Sequence, residues 1–163
     1  MNEKQALEQG AIENFITAYS EDAEDVLQFV KLLEPPFPDG MCTLNGNNIY
    51  IEVGHIYDTT ADTKYLLART DKQTPTEEDK QGSRLIPLNK RLLISLNRLL
   101  EKKSCKKYNG SPVWLLIRSA TPLWSRSDFQ DHINEILVPD NHSFDQIWLL
   151  CGPSSDFGIL KLF

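Results

Sequence analysis

Residues 35–56 read PPFPDGMCTLNGNNIYIEVGHI, and this stretch decides how the rest of the chain is arranged. Pro35 to Gly40 is turn chemistry. Met41 to Leu44 and Asn48 to Ile56 then flank Asn45-Gly46. Asn-Gly between two such runs is a strong hairpin signal, because a type I′ turn needs positive φ at both central residues. With Asn45 and Gly46 at the tip, Leu44 faces Asn47 and paired positions sum to 91. Asp39 then falls opposite Glu52. One face of the hairpin carries Asp39, Met41, Thr43, Asn48, Tyr50 and Glu52. The other carries Gly40, Cys42, Leu44, Ile49, Ile51 and Val53 and is plainly apolar, which pins the register. A slip of the turn to Gly46-Asn47 would set Asp39 opposite Gly54 instead.

Upstream, Ala6, Leu7, Ala11, Ile12, Phe15, Ile16 and Tyr19 recur at helical spacing and predict a helix over 3–19. Val26 to Leu33 reads as a short strand, with a helix continuing to Lys31 as its competitor. Downstream, 57–83 is polar and long for a compact domain, which suggests a functional loop broken by a short helix near 63–69. Leu85, Leu88, Leu92, Leu96, Leu99 and Leu100 form the stripe of a helix over 84–107, stopped by Asn109-Gly110. Val113 to Ile117 and Phe144 to Cys151 are continuous apolar runs, as expected of strands covered on both faces. Ser127 with Gln130 suggests a capping box for a helix over 128–137. This strand–helix–strand unit is most simply a right-handed parallel crossover. Ile159 to Phe163 reads as an edge strand.

The 163 residues fit one domain, and 40% hydrophobic with 25% charged residues argues against disorder. No run approaches the roughly 20 apolar residues that span a bilayer. The start MNEKQALEQG lacks the pattern of a signal peptide. Cys42, Cys105 and Cys151 are odd in number and widely spaced, neither a disulfide framework nor a zinc pattern. Together these point to a cytoplasmic protein without a membrane partner. His55, His132 and His142 have no second ligand at metal spacing. Trp114 and Trp148 read as core residues, and Trp124 as the tryptophan most open to solvent.

Net charge is −6, which gives little general attraction to phosphates. The charge is uneven, however. Nine acids and two lysines lie in 1–39, whereas 90–107 holds seven cations against Glu101. A helix with that bias can face nucleic acid. Equally, its cations can serve the negative end of the helix dipole.

Two carboxylates facing each other across a hairpin repel, and partial burial raises the pKa of one. A divalent cation resolves the conflict, and oxygen-only ligands suit Mg²⁺ or Mn²⁺. Such an ion polarises a phosphodiester and activates water. The same residues also admit a plainer reading. Pro-Asp-Gly is common in turns, and Glu52 can pair with a Lys or Arg or point to solvent.

Pro38-Asp39, a hairpin, and then Ile49-Tyr50-Ile51-Glu52-Val53 resembles the signature of the PD-(D/E)XK nuclease-like superfamily, closest to small bacterial members. Lys106-Lys107-Tyr108 after a Lys-rich helix, the Trp114-Leu115-Leu116-Ile117 strand, and Glu8 seven residues before Phe15 extend the likeness over most of 3–151. The resemblance implies an α/β fold with a restriction-endonuclease-like αβββαβ core, a mixed central sheet flanked by helices. It further implies that Asp39 and Glu52 hold Mg²⁺ or Mn²⁺, that the Val53 carbonyl joins them, and that Glu8, with Glu13 as alternative, is the helix-borne acid. The implied activity is endonuclease hydrolysis of DNA or RNA, with Glu8, Asp39 and Glu52 as the catalytic set. One departure matters. The superfamily's Lys two residues past the strand Glu is Gly54 here. A basic residue from elsewhere would have to replace it, with Lys64, Lys90, Arg91 and Arg98 as candidates. Without that replacement, the chain is a catalytically inactive nuclease-fold module that binds a protein partner.

Overall fold

The computed structural model describes residues 1–56, 87–119, 121, 124–152 and 158–163. The loop over 57–83, the short helix near 63–69, Lys64 and Leu85 lie outside the described residues. Among those described, the chain runs α1 (Glu3–Asp22), β1 (Leu27–Leu32), β2 (Gly40–Leu44), β3 (Asn47–Ile56), α2 (Leu88–Ser104), β4 (Val113–Ser119), α3 (Arg126–Asp131), a 3₁₀ turn (Ile133–Glu135), β5 (Gln146–Cys151) and β6 (Gly158–Lys161). This is an α/β fold. Its six-stranded mixed sheet has the order β1-β2-β3-β4-β5-β6. β3, β4 and β5 are parallel, and the outer pairs are antiparallel.

The hairpin has the register that the Asn-Gly turn demands. Gly40 pairs with Ile51, Cys42 with Ile49 and Leu44 with Asn47. Asn45 has φ 52° and Gly46 φ 84°, so both tip residues are left-handed. The two hairpin faces enter different layers. Cys42, Ile49, Ile51 and Val53 pack with Ile12, Phe15 and Tyr19 of α1. Tyr50 and Ile56 belong to the opposite layer, with Leu92, Leu96 and Leu100 of α2. Glu52 shares the parity of Tyr50 and therefore projects on the α2 side.

The region 26–33 is a strand, because α1 ends at Asp22 and the Asn45 side chain holds the chain at Asp25 and Val26. α2 ends at Ser104, three residues short of the expected 107. The Ser104 hydroxyl donates to the Leu100 carbonyl, and Lys106 N–H turns back to Lys103. Leaving the helix there lets Tyr108 pack on Phe144.

The cap of α3 is also corrected. Ser125 and Asp128 form the capping box, not Ser127 and Gln130, and the helix stops at Asp131. An anionic carboxylate is the stronger acceptor for an N-cap N–H. Trp124, one residue before the cap, packs edge-on against Phe129 at 4.8 Å between centroids. That contact is a hydrophobic staple. It buries Trp124, against the expectation that this tryptophan is exposed. Trp114 and Trp148 do pack in the α1 layer. Cys42 and Cys151 are buried, Cys105 is exposed, and all three are free thiols.

Candidate active site

β2 begins only at Gly40, but its antiparallel neighbour β3 runs on five residues past Ile51, the partner of Gly40. That stretch of β3 loses its neighbour on one edge. Asp39 is the residue that fills the gap. Its backbone carbonyl accepts from Leu33 N–H at 2.9 Å, which fixes it at the end of β1. Its Oδ2 accepts from Val53 N–H at 2.8 Å, completing the ladder with a side chain. The residue next along β3, Glu52, is the one that the register sets across from Asp39.

The opening in the sheet becomes a cavity of about 480 Å³ into which both helical layers reach. Glu8 enters from α1, Asp39 from the turn, Glu52 and Val53 from β3, and Lys103 from α2. Glu8 and Glu52 are each only 6% exposed. Lys103 Nζ lies 2.6 Å from Glu52 Oε1, and both side chains are largely buried. Lys4 pairs with Glu8 at 3.3 Å from an exposed position, so that pair contributes little stability. Glu13 is exposed and accepts from Gln9 on the helix surface, away from the cavity. Of the two helix-borne acids, Glu8 is the one placed at the site.

The carboxylates feel one another. Burial raises the Asp39 pKa; the Val53 N–H works against this and the Glu8 charge adds to it. Burial also raises Glu52, where the Lys103 hydrogen bond opposes the shift and the Asp39 charge reinforces it. The Tyr108 hydroxyl faces this pair. Desolvation, the Glu52 charge and the closeness of its hydroxyl to the Glu52 carboxylate raise its pKa. His55 also lines the cavity, and burial with the Arg118 charge lowers its pKa to about 4, so it is neutral near pH 7. Acids shifted by desolvation and by each other in a concave site make it a candidate functional site.

Among the described residues the cation that meets Glu52 is Lys103, not Lys90, Arg91 or Arg98. Lys90 is an exposed residue at the far end of α2, and Lys90, Arg91 and Arg98 do not line the cavity. The sequence did hold a signal for Lys103. The apolar stripe Leu92, Leu96, Leu99 continues by the same spacing to position 103, so this lysine sits on the buried face of the helix. Gly54 lies close under α2: a Cβ there would lie 2.8 Å from Leu99 Cδ2, so the Leu99 side chain would have to shift to admit one.

The donors suit a hard divalent ion in kind, since Asp39 and Glu52 offer only oxygen. In number they are sparse. Among the described residues, no group of three or more His, Cys, Asp or Glu side chains is placed to hold a metal ion. Two carboxylates suffice only for an ion that keeps most of its waters, as Mg²⁺ does.

Comparison with known proteins gives no match, whether to a family model, a curated protein or a solved structure. Among the described residues, no helix is long and apolar enough to cross a membrane.

Proposed function

We propose that this chain is a metal-dependent nuclease-like protein with a restriction-endonuclease-like αβββαβ core, hydrolysing phosphodiester bonds of DNA or RNA at the Asp39–Glu52 cavity. The supporting observation is the convergence of Glu8, Asp39, Glu52 and Lys103 from four separate segments on one cavity. Asp39 and Glu52, with the Val53 carbonyl, would hold Mg²⁺ or Mn²⁺, which when bound supplies a Lewis acid for the phosphoryl oxygen.

The protein's own groups do the remainder. Lys103 occupies in space the role that a lysine at 54 has in sequence. Its ammonium sits in a low-dielectric pocket, where it stabilises charge developing on the phosphate more than it would in water. Glu8 supplies a second acid near Asp39 that can orient water. The Val53 N–H holds the Asp39 carboxylate in one orientation, so that little reorganisation is needed as the reaction proceeds.

A second reading rests on the same ion pair. Lys103 already neutralises Glu52, so the site can stand without a metal, as in a module that has lost catalysis and binds a protein partner. A cleavage assay decides. Purified protein is incubated with plasmid and single-stranded oligonucleotides in Mg²⁺ or Mn²⁺. Hydrolysis by the wild type, reduced on the order of a hundredfold or more in Asp39→Asn and Glu52→Gln, is the expected result. A wild type that cleaves none of these substrates leaves the second reading.

A further inference from the structure

We infer that the ligand of this cavity is an unpaired nucleic-acid strand, one of whose bases stacks on Phe37 while its phosphates lie along the end of α2. The inference rests on the nuclease-like reading for its choice of site, but its test does not depend on hydrolysis.

Phe37 lies on the cavity wall and is 43% exposed, unusual for a large aromatic side chain. It is not loose. Its N–H donates to the Glu34 carbonyl at 3.1 Å, and the neighbouring Pro36 carbonyl accepts from Asn109 N–H at 3.2 Å. The ring stacks on Tyr50, with centroids 6.2 Å apart and planes inclined by 29°. Tyr50 is held in turn by Gly110, which has φ +94° and comes so close that a Cβ there would lie 2.9 Å from the ring. The result is a braced aromatic platform with ring surface left to solvent.

Around the same cavity lie Lys102, Lys106 and Lys107, all exposed, in a protein of net charge −6. These three exposed ammonium groups beside the cavity offer a local attraction for a polyanion that the net charge does not. Cations tracking a backbone beside an aromatic platform form the arrangement that binds single strands. A duplex buries the faces of its bases in its own stack, so only an unpaired base can offer a π-face to Phe37 while its phosphate reaches the recessed acids.

The test is fluorescence anisotropy in EDTA, which prevents metal-dependent cleavage. Labelled oligothymidylate, oligouridylate, an abasic strand of equal length and a duplex are compared. At least one base-bearing single strand should bind about tenfold more tightly than both the abasic strand and the duplex, the contribution of one stacked base. Phe37→Ala should erase that margin and Phe37→Trp should keep it. Lys106→Gln with Lys107→Gln should weaken all four ligands alike. Equal affinity for base-bearing and abasic strands, or tighter binding of the duplex, would overturn the inference. So would a Phe37→Ala protein that retains the margin. If the margin is present and no cleavage occurs in Mg²⁺ or Mn²⁺, the hydrolytic reading fails and the strand site stands. Cleavage without the margin has the reverse meaning.

Discussion

Lys103 and Glu52 form a buried ion pair 2.6 Å long that joins the last turn of α2 to β3. Removing one partner of such a pair strands the other charge, at a typical cost of 3–5 kcal/mol. Lys103→Met should therefore lower unfolding stability by about 3 kcal/mol near pH 7. Lys103→Met combined with Glu52→Gln should recover a large part of that loss, because no charge is left without a partner. Urea denaturation of the four proteins in the double-mutant cycle measures the coupling. Additive losses would mean that the two residues act independently.

Asp39 and Glu52 make stability fall as pH rises. Burial lifts both pKa values above those of the unfolded chain, so between the unfolded and folded values the native state holds more protons. Their contribution is fully present below the unfolded pKa and is lost as pH climbs through the folded pKa. Asp39→Asn keeps an acceptor for Val53 N–H and removes the ionisation. The variant should therefore gain on the wild type as pH rises from about 4 to 7. Chemical denaturation at steps across that range reads the gap, and a gap that shrinks with rising pH would contradict the assigned shift.

A divalent ion at this site should offset the same repulsion. At about 100 times its dissociation constant, bound Mg²⁺ or Mn²⁺ adds about 2.7 kcal/mol, or about 5–10 °C in Tm for a chain of this length. The shift should vanish in Asp39→Asn. In Lys103→Met it should persist or grow, since the ammonium and the ion compete for Glu52. Differential scanning calorimetry with and without the ion tests both points, and a flat wild-type response removes the metal site.

The hairpin and its two faces were legible because Asn45-Gly46 allows one tight register and the alternation around it is clean. Asp39 and Glu52 followed from that register alone. The separation of the acids from their cation was not legible as such, since Lys103 meets Glu52 through a helix docked on the sheet rather than through strand spacing. Its place on the Leu92–Leu96–Leu99 stripe is the one local clue, and the cations around it share the same stretch of sequence without sharing that face. Helix ends depart from the local pattern where tertiary contacts outrank it. Tyr108 leaves α2 to reach Phe144, and the Trp124–Phe129 staple moves the α3 cap two residues towards the N-terminus.

Gly54 gives a sharp test of the packing between β3 and α2. The position projects towards α2, and a Cβ there would meet Leu99 Cδ2 at 2.8 Å and Cγ at 3.4 Å. A lysine introduced at 54 should therefore not fit without repacking. Gly54→Lys forces Leu99 aside and sets a second ammonium near Lys103, so it should lower stability by about 1–3 kcal/mol from overpacking, with no gain in cleavage. Gly54→Ala tests the steric part alone, because it adds only the Cβ. Gly54→Ala with Leu99→Ala should lose less than the sum of the single changes, since the space opened by one is used by the other. If Gly54→Ala is neutral while Gly54→Lys is active in the absence of Lys103, the close approach of α2 is not what excludes the strand-borne lysine, and Lys103 is not its replacement.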